Sequence, residues 1–233
     1  MQKRRVSRTG AAGRGLAEQQ PAARRPGAVV AAPDTLLVNL LGIPLESLWD
    51  VTVRGSGTTV AAAALVIAAE RPDLLIATAD LPDAGGLTLL PALAKVNPQA
   101  RAIVIAGGPA LARVRREASS QPLIHAVVDV AGGLGALAGE VGRWLESLGH
   151  VPLATRLDTM LSPREMDVFE RIGRGQPSAA IAAALAISQQ TVETHRKSIT
   201  KKAGVKGAGL VRLAVLHGIS TIHEADGASP SVG

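Results

Sequence analysis

The sequence predicts two folded units in series: a parallel β/α sheet domain, then an all-α domain of four short helices. Three observations predict this. Short, continuously apolar runs alternate with helical patterns through the first two thirds of the chain. The last third carries helix caps and breakers at close intervals. Apolar residues make up 47% of the 233 residues, enough for real cores.

Residues 1–33 are rich in Arg, Ala, Gly and Gln, without apolar periodicity, and are expected to be a disordered basic tail. Lys3, Arg4, Arg5, Arg8, Arg14, Arg24 and Arg25 face only Glu18 there. The segment reads either as an arm that adds non-specific phosphate contacts or as a solvated tail. No signal peptide or membrane-spanning run is read, so the expected location is cytoplasmic.

Residues 34–148 are expected to form the β/α domain. Leu36-Leu37-Val38 reads as a first strand, followed by a short helix from Pro44 to Trp49. Val51-Thr52-Val53 reads as a second strand ended by Gly55-Ser56-Gly57, and Thr58 or Thr59 caps the next helix through Glu70. That glycine turn lacks the Lys and spacing of a phosphate loop and is read as a plain strand-to-helix turn. Leu74-Leu75-Ile76-Ala77 is a buried strand, 87–96 a helix, 102–106 and 126–128 further strands, and 135–148 a closing helix. Residues 149–157, with Pro152, read as a linker.

Residues 158–219 carry the second domain. Ser162, Pro163 and Glu165 spell a helix start with a capping box. Gly173 and Gly175 end that helix. Pro177 and Ser178 open a second, with Ile181, Ala182, Leu185 and Ala186 as its expected buried stripe. Ile187 and Ser188 form the turn, and Ser188 caps a third helix over 189–203, stopped by Gly204. Two short helices around a tight turn make a helix-turn-helix. With about 100° per residue, Val192, Ile199 and Ala203 share the core face. Glu193, Thr194, Lys197, Ser198 and Lys201 fall opposite, where a recognition helix meets the major groove of double-stranded DNA. A fourth helix over 210–217 has more apolar surface than one contact needs, which suits a dimer seam. Residues 220–233 are expected to be a disordered tail.

The second domain resembles the C-terminal DNA-binding domain of LuxR/NarL-type regulators. The resemblance rests on Leu161-Ser162-Pro163-Arg164-Glu165, Val168, Gly175, Ile181-Ala182, Leu185, Ile187-Ser188, Thr191-Val192, Thr194-His195, Ile199, Lys202 and Gly204-Val205. It implies a homodimer that reads DNA through the third helix. It puts Glu193, Thr194 and Lys197 nearest the bases and Thr191, His195, Lys201 and Lys202 near phosphates. One departure is Ser178-Ala179-Ala180, where the family usually carries polar residues.

The first domain resembles a response-regulator receiver, a flavodoxin-like fold, through residues 72–87. Pro82 and Gly86 hold the family's offsets, and the phosphoacceptor position is Thr78. Receiver chemistry needs a carboxylate nucleophile, an acidic pair for Mg²⁺, a hydroxyl and a Lys. Here Thr78 replaces the first. After the first strand, where the acidic pair belongs, the chain reads Asn39-Leu40-Leu41-Gly42-Ile43-Pro44; the hydroxyl falls at Ala106 and the Lys near Asp129. The expectation is an atypical receiver and a regulator independent of phosphorylation. Two alternatives are a small-molecule-sensing domain and a heterodimerising partner. An enzyme is not expected, for no nucleophile–base pair appears. Nor is a cofactor or metal: there is no Cys, and the five His are scattered. Scarce Tyr and Phe argue against a base-stacking single-strand binder.

Overall fold

The computed structural model describes residues 24–226. Expectations that concern residues 1–23 and 227–233 lie outside the described residues.

Five parallel strands form one sheet: β1 (Gly27–Ala31), β2 (Thr52–Gly57), β3 (Leu74–Thr78), β4 (Arg101–Ala106) and β5 (Ile124–Asp129). Their order is β2-β1-β3-β4-β5. The connecting helices are α1 (Thr35–Leu48), α2 (Val60–Glu70), α3 (Leu90–Val96) and α4 (Gly108–Ala118), with α5 (Gly133–Ser147) closing the unit. Alternate strand residues feed the two faces. Val30, Leu74, Ile76 and Ile103 pack with α1 and α5, in one cluster with Leu45, Leu137 and Trp144. Val29, Leu75, Ala77 and Ala102 pack with α2 and α3, against Ile67 and Leu93. This is a receiver-like parallel sheet followed by a helical DNA-binding-type domain.

The start of the sheet domain differs from the sequence expectation. Gly27–Ala31 is a fully buried central strand, not part of a tail. The expected strand Leu36-Leu37-Val38 is the first turn of α1. Pro33-Asp34 is the turn between them, and the Asp34 carboxylate accepts from the Leu37 N–H at 2.8 Å. Val38, Leu41, Leu45 and Leu48 recur at helical spacing and are buried. Pro44, read as a helix start, lies inside α1. Thr59 caps α2 as expected, accepting from Ala62 N–H. Helix α4 has no counterpart in the sequence reading.

Helix α6 (Leu153–Met160) occupies most of the expected linker. Then come α7 (Pro163–Gly173), α8 (Ser178–Leu185), α9 (Gln189–Ala203) and α10 (Gly209–Asp226). Helix α10 runs into the segment expected to be a tail. It packs on α7 within its own domain and on α1 and α5 of the sheet domain. One apolar cluster therefore spans both units, from Leu45 and Trp144 to Phe169 and Leu213. Among the described residues no helix is long and apolar enough to cross a membrane.

Candidate nucleic-acid interface

The helix-turn-helix is built by local signals. The Ser162 hydroxyl accepts from Glu165 N–H, and the Glu165 carboxylate accepts from Ser162 N–H at 2.7 Å, completing the capping box of α7. Helix α8 ends at Ala186, which takes the left-handed conformation at φ 52. Ala186 is thus an exposed cap residue rather than part of the buried stripe. The Arg164 guanidinium donates to the Leu185 carbonyl and holds the same turn. Ser188 caps α9 by accepting from Thr191 N–H at 3.0 Å. Gly204 stops α9 at φ 68.

Val192, Ile199 and Ala203 are buried, as expected. On the opposite side, Thr194, Lys197 and Lys201 are exposed, and Gln190 is exposed in line with them. Residues 190, 194, 197 and 201 are spaced along one helix face. Gln190 is absent from the sequence-predicted set, although the same 100° step places it there. Its amide suits the adenine edge. Neither Lys197 nor Lys201 has an ion pair or side-chain hydrogen bond among the described residues. Thr194 donates through Oγ1 to the Gln190 carbonyl at 3.0 Å.

Three residues of the expected DNA-facing set are engaged elsewhere. Ser198 Oγ donates to Glu165 Oε1 at 2.6 Å, and Lys202 Nζ donates to Glu165 Oε2 at 2.6 Å. Both belong to the flank of α9 that lies on α7. Glu193 is the third: its Oε1 accepts from Ser178 Oγ at 2.6 Å, and its Oε2 lies 3.7 Å from Arg196 Nε. A Glu held this way ties α8 to α9 and has its charge offset. Thr191 and His195 sit on the flank of the open face, partly exposed.

Glu165 is nearly buried, at 5% exposure. Burial alone would raise its pKa. The hydrogen bonds from Lys202, Ser198 and Ser162 outweigh it and lower the pKa to about 2. The carboxylate is therefore a fixed anchor between α7 and α9.

The model for bacterial regulatory proteins of the luxR family matches residues 159–214. The chain carries a LuxR-type helix-turn-helix domain over those residues. It is accordingly a DNA-binding transcriptional regulator, with α8 and α9 as its helix-turn-helix. The regulator is 28% identical over 166 residues to the transcriptional regulatory protein MctR of Rhizobium johnstonii, covering 64% of this chain and 73% of MctR. It is also 28% identical over 176 residues to the probable transcriptional regulatory protein NarL of Mycobacterium tuberculosis, covering 67% and 77%. A solved structure of two RcsB dimers bound to two parallel DNAs is similar at 22% identity, TM-score 0.43, over 85% of this chain and 99% of that one.

In the sheet domain the C-terminal ends of β3, β4 and β5 meet at one cleft. Thr78 ends β3, Ala106 ends β4 and Asp129 ends β5. The residues ending β1 and following it are Ala31 and Ala32, so the acidic-pair position is there and not at Asn39-Leu40. Asp129 caps the turn after β5 by accepting from Ala131 N–H at 2.9 Å. Among the described residues no group of three or more His, Asp or Glu is placed to hold a metal ion.

Proposed function

We propose that this regulator binds a specific double-stranded DNA site as a homodimer, without needing phosphorylation. The observation that carries the reading is the openness of α9 in the complete chain. The sheet domain packs on α10 through α1 and α5, while Gln190, Thr194, Lys197 and Lys201 stay exposed. No domain separation is needed to present that face to a major groove.

Gln190, Thr194 and Lys197 are the base-facing set. Lys201, Thr191 and His195 face phosphates. Glu193, Ser198 and Lys202 position α9 instead. Helix α10 presents Val211, Val215 and Ile219, exposed at 41%, 38% and 43% and spaced four apart. This stripe suits an isologous contact with a second copy, and two copies present two recognition helices to a palindrome. Independence from phosphorylation is supported by the residue types at the strand ends: Ala31, Ala32, Thr78, Ala106 and Asp129 include no carboxylate acceptor flanked by an acidic pair and a Lys.

The test is retention of fragmented genomic DNA by the purified, untreated full chain, followed by sequencing. Enrichment of a palindromic site, unchanged by acetyl phosphate and Mg²⁺, is expected. Enrichment only after acetyl phosphate treatment overturns phosphorylation independence. Absence of any enriched site under both conditions overturns autonomous DNA reading and favours a heterodimer partner.

A further inference from the structure

The position that would carry receiver chemistry is not empty space closed by packing. It is a cleft of about 740 Å³, within the size range of small-molecule sites. It opens at the C-terminal ends of β3, β4 and β5, beside the point where the strand order reverses between β1 and β3. Open α/β sheets bind ligands at such a point. Leu37, Leu40 and Leu41 of α1 form one wall, and Val130, Leu134 and Leu137 form the other.

Its chemistry excludes the family's usual occupant. Among the described residues no Lys or Arg lines the cleft, and its charged residues are Asp80 and Asp129. A phosphoryl group or other anion would meet two negative charges and no cation. At the floor, Thr78 is only 7% exposed, and its Oγ1 is buried without a hydrogen-bond partner. Such a group destabilises the fold unless something satisfies it. The hydroxyl itself is shut off from solvent, so an occupant that bonds it must do so with Thr78 turned about χ1. At the rim, Leu40 and Val130 are 47% and 60% exposed, so apolar surface continues outward.

We propose that this cleft is an effector site for a neutral, largely apolar small molecule that carries one hydrogen-bonding group for Thr78. The proposal rests on the phosphorylation-independent reading above and supplies its input. The route to DNA binding is short. Helix α1 lines the cleft through Leu37, Leu40 and Leu41 and also packs against α10. An occupant that shifts α1 shifts the helix carrying the dimer stripe.

The test uses the full chain and N-phenyl-1-naphthylamine, a neutral apolar fluorophore with one N–H. Saturable one-site binding is expected. Ala110→Trp and Ala131→Trp fill the cleft from α4 and from the turn after β5, at sites that are not fully buried. Each is expected to weaken the probe at least tenfold with an unchanged melting temperature. Thr78→Val is expected to weaken it severalfold while the melting temperature holds or rises. Absence of saturable binding, or binding insensitive to both tryptophans, overturns the site. Probe affinity unchanged by Thr78→Val overturns the role of the hydroxyl. DNA retention by the same untreated samples is scored in parallel. DNA binding without probe binding sinks the effector site alone, and probe binding with phosphate-dependent DNA retention sinks the parent reading alone.

Discussion

Glu165 of α7 is joined to Lys202 of α9 by a 2.6 Å contact between Nζ and Oε2. The same carboxylate takes Ser198 through its other oxygen. It therefore sets the distance between the first helix of the DNA-binding domain and the recognition helix.

The pKa of this carboxylate is lowered from 4.5 to about 2 on folding. Its stabilisation is fully present above pH about 4.5 and is lost as pH falls towards 2. Glu165→Gln is expected to destabilise the chain by on the order of 2–3 kcal/mol at neutral pH. Urea melts of both proteins from pH 7 to 3 should show the gap narrowing below pH 4.5. A constant gap would mean that the charge of Glu165 is not what holds α9.

Lys197 and Lys201 share a face but are assigned different work. Lys197→Ala is expected to cost about 1–3 kcal/mol on the selected site and to relax its sequence preference. Lys201→Ala should weaken selected and random DNA alike and reduce the salt slope by about one. Titrations of both variants on both DNAs, over a series of salt concentrations, separate the roles.

Ala186 holds a left-handed conformation, φ 52, at the heart of the helix-turn-helix. A Cβ there costs on the order of 1 kcal/mol, while glycine adopts the geometry freely. Ala186→Gly is expected to raise stability by a few tenths to 1 kcal/mol, since glycine's unfolded-state entropy offsets part of the relief. Thermal denaturation reads the sign.

Gly173 ends α7 where α10 crosses it. A Cβ at this position would lie 2.6 Å from the Ala214 carbonyl oxygen, a backbone atom. Gly173→Ala is expected to destabilise by about 1–3 kcal/mol although alanine favours helix elsewhere. Equal or higher stability in the variant would show that α10 can step back without loss.

The helix-turn-helix was legible because its signals are local. The capping box of Ser162 and Glu165, the cap at Ser188, the stop at Gly204 and the core face of Val192 all stand within one or two turns of their partners. What escaped was non-local or lacked pattern. Glu165 and Ser198 are 33 positions apart, and no periodicity links them. The wheel that set Ser198 outward could not show that α7 covers that flank. Strand β1, Gly-Ala-Val-Val-Ala, has small residues on both faces and no alternation, because both faces are buried. Pro44 inside α1 imitates a helix start. With β1 at Gly27–Ala31, the acidic-pair position falls at Ala31 and Ala32, eight residues before Asn39.

The apolar cluster that runs without a break from Trp144 to Leu213 also governs how the molecule comes apart. Helix α10 is a structural member of both units. Heating or denaturant should therefore melt the chain in a single cooperative transition. The slowest-exchanging amides of α10 should be protected to the same free energy as those of β3. A DNA-binding fragment cut at Gly149 would leave the face of α10 that packs on α1 and α5 bare to water.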